Sequence, residues 1–188
     1  SLPGHDARPP VPLPRNRMPA MSLRWPLLFR LEPSDRSTLG RADYVYEFER
    51  TINAPPDVVL SAMFDGHPLF RAPGCRRFDW HTPVGEFTDA VVDETFLFMN
   101  IRMRTAHYEP GRALVISIDR CSMPLASSMV QDMEVDAVDG GRTRFRWRIG
   151  VRYRKDTGFM APMVTPLFRW LFSTTIKRLE RRFAGQPA

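Results

Sequence analysis

Two cysteines, two lysines and no apolar run long enough to cross a bilayer set the first boundaries on this chain of 188 residues. Cys75 and Cys121 stand in separate segments, without CxxC spacing and without the cysteine density of a disulfide-built secreted domain. They are expected to be reduced thiols in a cytoplasmic protein. A spanning helix needs roughly 20 apolar residues, and the apolar stretch around Trp25-Pro26-Leu27-Leu28-Phe29 is also too short and too proline-interrupted for a signal-peptide core. Histidine is scarce, and His, Cys and carboxylates nowhere fall at metal-ligand spacing. G-x-G-x-x-G, a P-loop and a nucleophile elbow are all missing, so neither a metal nor another cofactor is expected.

Positive charge is plentiful instead, at a formal +6 with a pI near 10.0, which points to polyanions or anionic membranes as partners to consider. Its location matters more than its sum. Residues 1–42 hold seven Arg against three acids and eight of the 18 prolines, with no sustained periodicity. They read as a Pro/Arg-rich N-terminal arm, partly disordered or docked through the apolar stretch Leu23 to Leu31. Residues 43–188 carry 20 basic and 18 acidic side chains and read as one folded domain.

From Asp43 the pattern becomes regular. Tyr44, Tyr46, Phe48 and Ile52 alternate with Glu47, Glu49 and Thr51, the signature of a half-buried strand. Asn53 is a candidate cap for a short helix through Val58, Val59, Ala62 and Met63, with proline and Asp57 in its first turn. A second helical turn is expected at His67-Pro68-Leu69-Phe70. Six strands then follow, over about 75–82, 86–99, 101–109, 112–120, 128–138 and 142–154, and consecutive strands of this kind make an antiparallel sheet. The chain closes with an amphipathic helix from about Pro162 to Ala184, whose stripe is Phe168, Phe172, Ile176, Leu179 and Phe183.

The last two strands decide between a nucleic-acid-binding ribbon and an ordinary half-wet sheet. In RTRFRWRIGVRYRK, residues 142–155, arginines alternate with aromatic and apolar side chains. A three-residue loop, Asp139-Gly140-Gly141, sets Asp136 opposite Arg144, Glu134 opposite Arg146 and Asp132 opposite Arg148. The same register puts Val135 on Phe145 and Met133 on Trp147, whereas a slip of one residue would set arginines against apolar neighbours. The arginine row is thereby neutralised, and a phosphate-binding face needs uncompensated charge. Nucleic acid is not expected as a partner.

The element order, the segment Thr51-Ile-Asn-Ala-Pro-Pro-Asp-Val-Val entering the first helix, and Gly140-Gly-Arg-Thr-Arg-Phe-Arg-Trp opening the last strand together resemble the START/Bet v 1-like superfamily (SRPBCC), which includes polyketide cyclases and lipid carriers. The resemblance covers about residues 43–186. It implies an α+β helix-grip fold: a curved antiparallel β-sheet wrapped around a long C-terminal helix, with two short helices after the first strand and a cavity between sheet and helix. It supports a fold more than a chemistry.

If the cavity exists, the inward positions of the last hairpin are Met129, Gln131, Met133, Val135, Phe145, Trp147, Ile149, Val151 and Tyr153, and the helix is expected to face them with Met163, Leu167, Trp170, Leu171 and Thr174. Methionines suit a wall that adapts to an apolar guest, although such a stripe also builds plain cores. Gln131 is the most informative position, because an inward amide without a partner costs about 1–3 kcal/mol. His107 shares a face with Ile101, Met103 and Thr105 if its strand is regular, and is a weak second candidate for proton transfer. Three readings follow: a carrier of a lipid, sterol, isoprenoid or polyketide; a cyclase or aromatase using the same cavity, with Gln131 or His107 as its polar residue; or an interaction module with a filled core. Transient contact with a membrane surface, and a monomer or homodimer, complete the expectation; whether the protein is an enzyme stays open.

Overall fold

The computed structural model describes residues 28–63, 74–83, 86–96 and 99–184. Strand β1 (Phe29–Arg30) and a 3-10 helix (Arg36–Arg41) precede β2 (Tyr44–Ile52) and helix α1 (Pro56–Ala62). Strands β3 (Cys75–Trp80), β4 (Val91–Phe96), β5 (Met99–Glu109), β6 (Ala113–Cys121), β7 (Ala126–Val138) and β8 (Arg142–Tyr153) lead to helix α2 (Ala161–Phe183). The helical turn expected at 67–70 lies outside the described residues. Asn53 does not cap α1: Pro55 holds that position without a side-chain bond, and Pro56 and Asp57 open the helix. β4 starts five residues later than its sequence pattern suggested, because Phe87 to Ala90 form a turn closed by Ala90 N–H donating to Phe87 O at 3.3 Å.

The strands form an antiparallel sheet in the order β2-β8-β7-β6-β5-β4-β3, with β1 added beside β6. In β7 and β8 the register is the one the charge pattern demands: Asp132, Glu134 and Asp136 oppose Arg148, Arg146 and Arg144, and Met133 opposes Trp147. Gly140 and Gly141 take φ of 74° and 69° in the connecting loop, left-handed backbone that glycine enters without steric cost. Arg144 pairs with Asp136 at 2.9 Å, and Arg146 reaches Glu134 at 3.7 Å and, across in β2, Glu49 at 3.2 Å.

The apolar stripe of α2 packs into the concave side of the sheet. Tyr46 and Trp147 each meet Phe172 edge-on with ring centroids 5.4 Å apart, an arrangement favoured by the ring quadrupoles. Phe168, Ile176, Leu179 and Phe183 are buried with it. At the other end of the hairpin, Thr143 Oγ1 donates to Ala54 O at 2.6 Å and ties β8 to the entry of α1.

Residues 28–42 belong to this structure. The β6–β7 ladder stops at Ser117 and Val130, and the chain from Phe29 to Glu32 fills the opening beyond it. Leu31 N–H donates to Asp119 O at 3.0 Å on one side and Glu32 N–H to Ser127 O at 2.8 Å on the other. Asp35 then caps the 3-10 helix, which lies across the outer face of β7 and β8. Arg36 donates to the fully buried Asp132 at 2.8 Å, and Arg148 holds the other oxygen of that carboxylate.

Candidate functional site

Between α2 and the sheet lies a partly open, mostly apolar cavity of about 110 Å³. Its wall takes Phe78 from β3, Glu94 from β4, Ile118 and Cys121 from β6, Val151 and Tyr153 from β8, and Leu31 from the N-terminal arm. Six methionines contribute: Met63, Met99, Met103, Met123, Met129 and Met133. A drug-sized ligand occupies roughly 300–1,000 Å³, so a guest larger than a small ring enters only if these unbranched side chains rotate away. Methionine, with three rotatable bonds and a polarisable sulfur, is the apolar residue best suited to that movement.

Six of the hairpin residues anticipated as inward stand at this wall: Gln131, Met129, Met133, Trp147, Val151 and Tyr153. Gln131 is 8% exposed, and among the described residues the partner of its amide nitrogen is Met103 Sδ, at 4.0 Å. That is a weak acceptor. The inward position expected from its place between Met129 and Met133 is the one it takes, with a thioether where a stronger partner was expected.

Apart from Leu171, the other anticipated positions lie elsewhere. Val135, Phe145 and Ile149 do point inward, but they are buried in the core away from the cavity. His107 is exposed, because a β-bulge between Thr105 and His107 reverses the alternation of β5 at that point. Met163, Leu167 and Trp170 are 67%, 38% and 53% exposed, and Thr174, half-buried, donates to Trp170 O along its own helix. Of the helix residues expected there Leu171 lines the cavity, and Phe168, Phe172 and Thr175 join it in place of the others. That face was available from the Phe168–Phe172 stripe, which Leu171 borders and Thr175 extends by one turn. Its start was obscured because the first half of α2 is apolar all round.

Glu94, Thr175 and Tyr153 are the further polar side chains of the wall. Thr175 is satisfied by Leu171 O at 3.0 Å. Burial pushes the Cys121 thiol up, keeping it protonated, and it accepts from Met123 N–H at 3.4 Å. Tyr153 also lines an outer groove of about 820 Å³ formed with Glu32, Asp43, Arg152, Lys155, Pro162, Thr165 and Pro166. Its hydroxyl meets Thr165 Oγ1 at 3.4 Å between β8 and α2, and Tyr153 thus borders both the groove and the cavity. Among the described residues no cluster of His, Cys, Asp or Glu could hold a metal ion.

The family model described as polyketide cyclase/dehydrase and lipid transport matches residues 45–184. The chain belongs to that family. No curated protein matches the chain by sequence. Solved structures share its fold at low identity. A START superfamily protein from Mycobacterium smegmatis superposes with a TM-score of 0.60 at 11% identity, over 74% of this chain and 97% of that one. Ara h 8.0201 gives 0.59 at 12%, over 76% and 99%, and the major latex-like protein 151 of Panax ginseng gives 0.56 at 13%, over 74% and 97%. The architecture is the helix-grip fold of the START/Bet v 1-like superfamily.

Proposed function

We infer that this protein binds and carries a hydrophobic small molecule, a lipid, sterol, isoprenoid or polyketide, in the cavity between the sheet and α2. The observation that carries the reading is an apolar space walled by six methionines and marked by one amide, Gln131, whose nitrogen has only a thioether as partner among the described residues. Removal of apolar guest surface from water, at about 25 cal/mol per Å², supplies affinity, and Gln131 supplies orientation through a hydrogen bond to a polar group of the guest. In this reading residues 43–188 are the binding domain and residues 1–42 its arm, which lends Leu31 to the wall. Neither cysteine forms a disulfide, which supports a reducing, cytoplasmic setting. The neutralised arginine row supports a partner list without nucleic acid.

A cyclase-type reaction in the same cavity is the second reading, favoured by one observation. Glu94 places a carboxyl at the apolar wall, where His107 is too remote to move a proton. Glu94→Gln would then abolish turnover of a polyketide substrate and leave its binding intact.

Native mass spectrometry of gently purified protein, followed by extraction, tests the carrier reading. A co-purifying lipid-like mass is expected. Gln131→Leu is expected to weaken binding of the extracted compound about tenfold while leaving the fold as stable as before or more so, since a weakly partnered buried amide is removed. A protein that arrives empty and takes up no apolar fluorophore in a saturable manner would overturn both small-molecule readings.

A further inference from the structure

We propose that the outward face of α2 docks this protein on an anionic phospholipid bilayer, with the first half of the helix entering the membrane surface and the second half resting on its headgroups. The residues once expected to face the cavity carry the argument. Phe159, just before the helix, is 80% exposed, and Met163, Leu167 and Trp170 follow it at 67%, 38% and 53%. Spaced by four, four and three residues, they form one stripe on the side opposite Phe168, Phe172 and Ile176. This is a row of large apolar side chains held out to solvent, not scattered single exposures.

Charge says what covers it. Continuing the same stripe past Thr174 brings Lys177 and Arg181, both exposed and neither ion-paired to a described residue. The one acid of α2, Glu180, lies off the stripe and reaches Arg50 at 3.8 Å. The face therefore runs from Phe159 through Trp170, about 16 Å of purely apolar surface, into about 16 Å that is cationic and free of acids. Tryptophan stands at the junction, which is where an indole settles between hydrocarbon and headgroups. A bilayer surface with negative lipids is layered in the same order.

The placement of the mouth fits. The groove that shares Tyr153 with the cavity has Pro162 and Pro166, exposed on the flank of the same apolar half of α2, along one rim, so docking brings that rim toward the membrane. The inference rests on the carrier reading only for what enters through that groove; docking itself needs no guest.

Flotation with vesicles of phosphatidylcholine mixed with phosphatidylglycerol, against phosphatidylcholine alone, tests it on the full chain. The protein is expected on the mixed vesicles. Phe159→Ser with Trp170→Ser is expected to weaken that association at least tenfold, and Lys177→Gln with Arg181→Gln roughly thirtyfold, about fivefold per cation removed. All four positions are exposed, so unchanged thermal unfolding separates lost docking from lost fold. In a Trp25→Phe background, brominated lipid is expected to quench a fluorescence that Trp170→Phe removes. Gln131→Leu should float like the parent, so failure of the cavity reading leaves docking standing, and the reverse also holds. No association with mixed vesicles, association indifferent to both double variants, or a dimer or a contact with residues 1–27 that covers the stripe would overturn the proposal.

Discussion

Asp93 shows how one side chain is kept charged under cover. It sits on the face of the sheet turned away from the cavity with 1% of its side chain exposed. Arg102 grips it with two bonds of 2.7 Å, and His81 Nε2 lies 2.6 Å from its second oxygen. Burial acts to raise its pKa, but Arg102 and His81 outweigh that and hold the carboxyl below its usual range. A carboxylate whose folded pKa is depressed adds stability that is present above its unfolded pKa, about 3.9, and is lost as pH falls through the folded value. Arg102→Gln should therefore cost about 2–3 kcal/mol at neutral pH, short of the full penalty for a broken buried pair because His81 remains. The deficit relative to the parent should shrink as pH falls from the unfolded pKa, about 3.9, toward the lower folded value at which Asp93 takes up a proton. Denaturant titrations at neutral and acid pH measure it, and an equal deficit at both would refute the assignment.

Gly150 shows how one strand accommodates a neighbour. A Cβ there would lie 3.0 Å from Leu39, 3.2 Å from Val130 and 3.3 Å from Ala42, so the 3-10 helix can rest on β8 only because this position carries no side chain. Gly150→Val should lift residues 36–42 off the sheet, at a cost of about 1–3 kcal/mol. Faster tryptic cleavage after Arg36 and Arg41 would accompany the lowered unfolding midpoint; unchanged cleavage would show that the segment gives way without leaving. The β7–β8 pairing was legible in advance, since matched charges on one face and apolar pairs on the other leave a single register. The side of β5 that His107 occupies was not, because a bulge is set by the partner strand and leaves no mark on alternation within β5 itself. Nor was the closure of the sheet by β1 apparent in the two residues Phe29 and Arg30.

Across the molecule, surface arginine is mostly spent on carboxylates. Arg36, Arg102, Arg104, Arg144, Arg146, Arg148 and Arg152 are all ion-paired, and the row that first suggested a nucleic-acid ribbon is compensated from β7 and β2 together. A generic DNA duplex should show no mobility shift at low salt; a shift abolished by reversing Arg144, Arg146 and Arg148 would contradict this. Lys177 and Arg181 are exposed without an ion pair to a described residue, and their place beside exposed apolar residues directs the search toward membranes. The cavity, the groove and this face converge on the first half of α2.

What the amino-acid order settled was everything local or marked by polarity: the hairpin register, the antiparallel meander, the buried stripe of α2 and the inward amide of Gln131. These follow because charged residues tolerate only the wet side of a strand or helix, so each one reveals the orientation of its neighbours. Packing between distant segments decided the rest. Where α2 is apolar on every side, nothing in its own residues says which face meets the cavity. The sheet made that choice: Tyr46 and Phe48 of β2 and Trp147 of β8 take the Phe168–Phe172 side of α2 and leave the other to solvent.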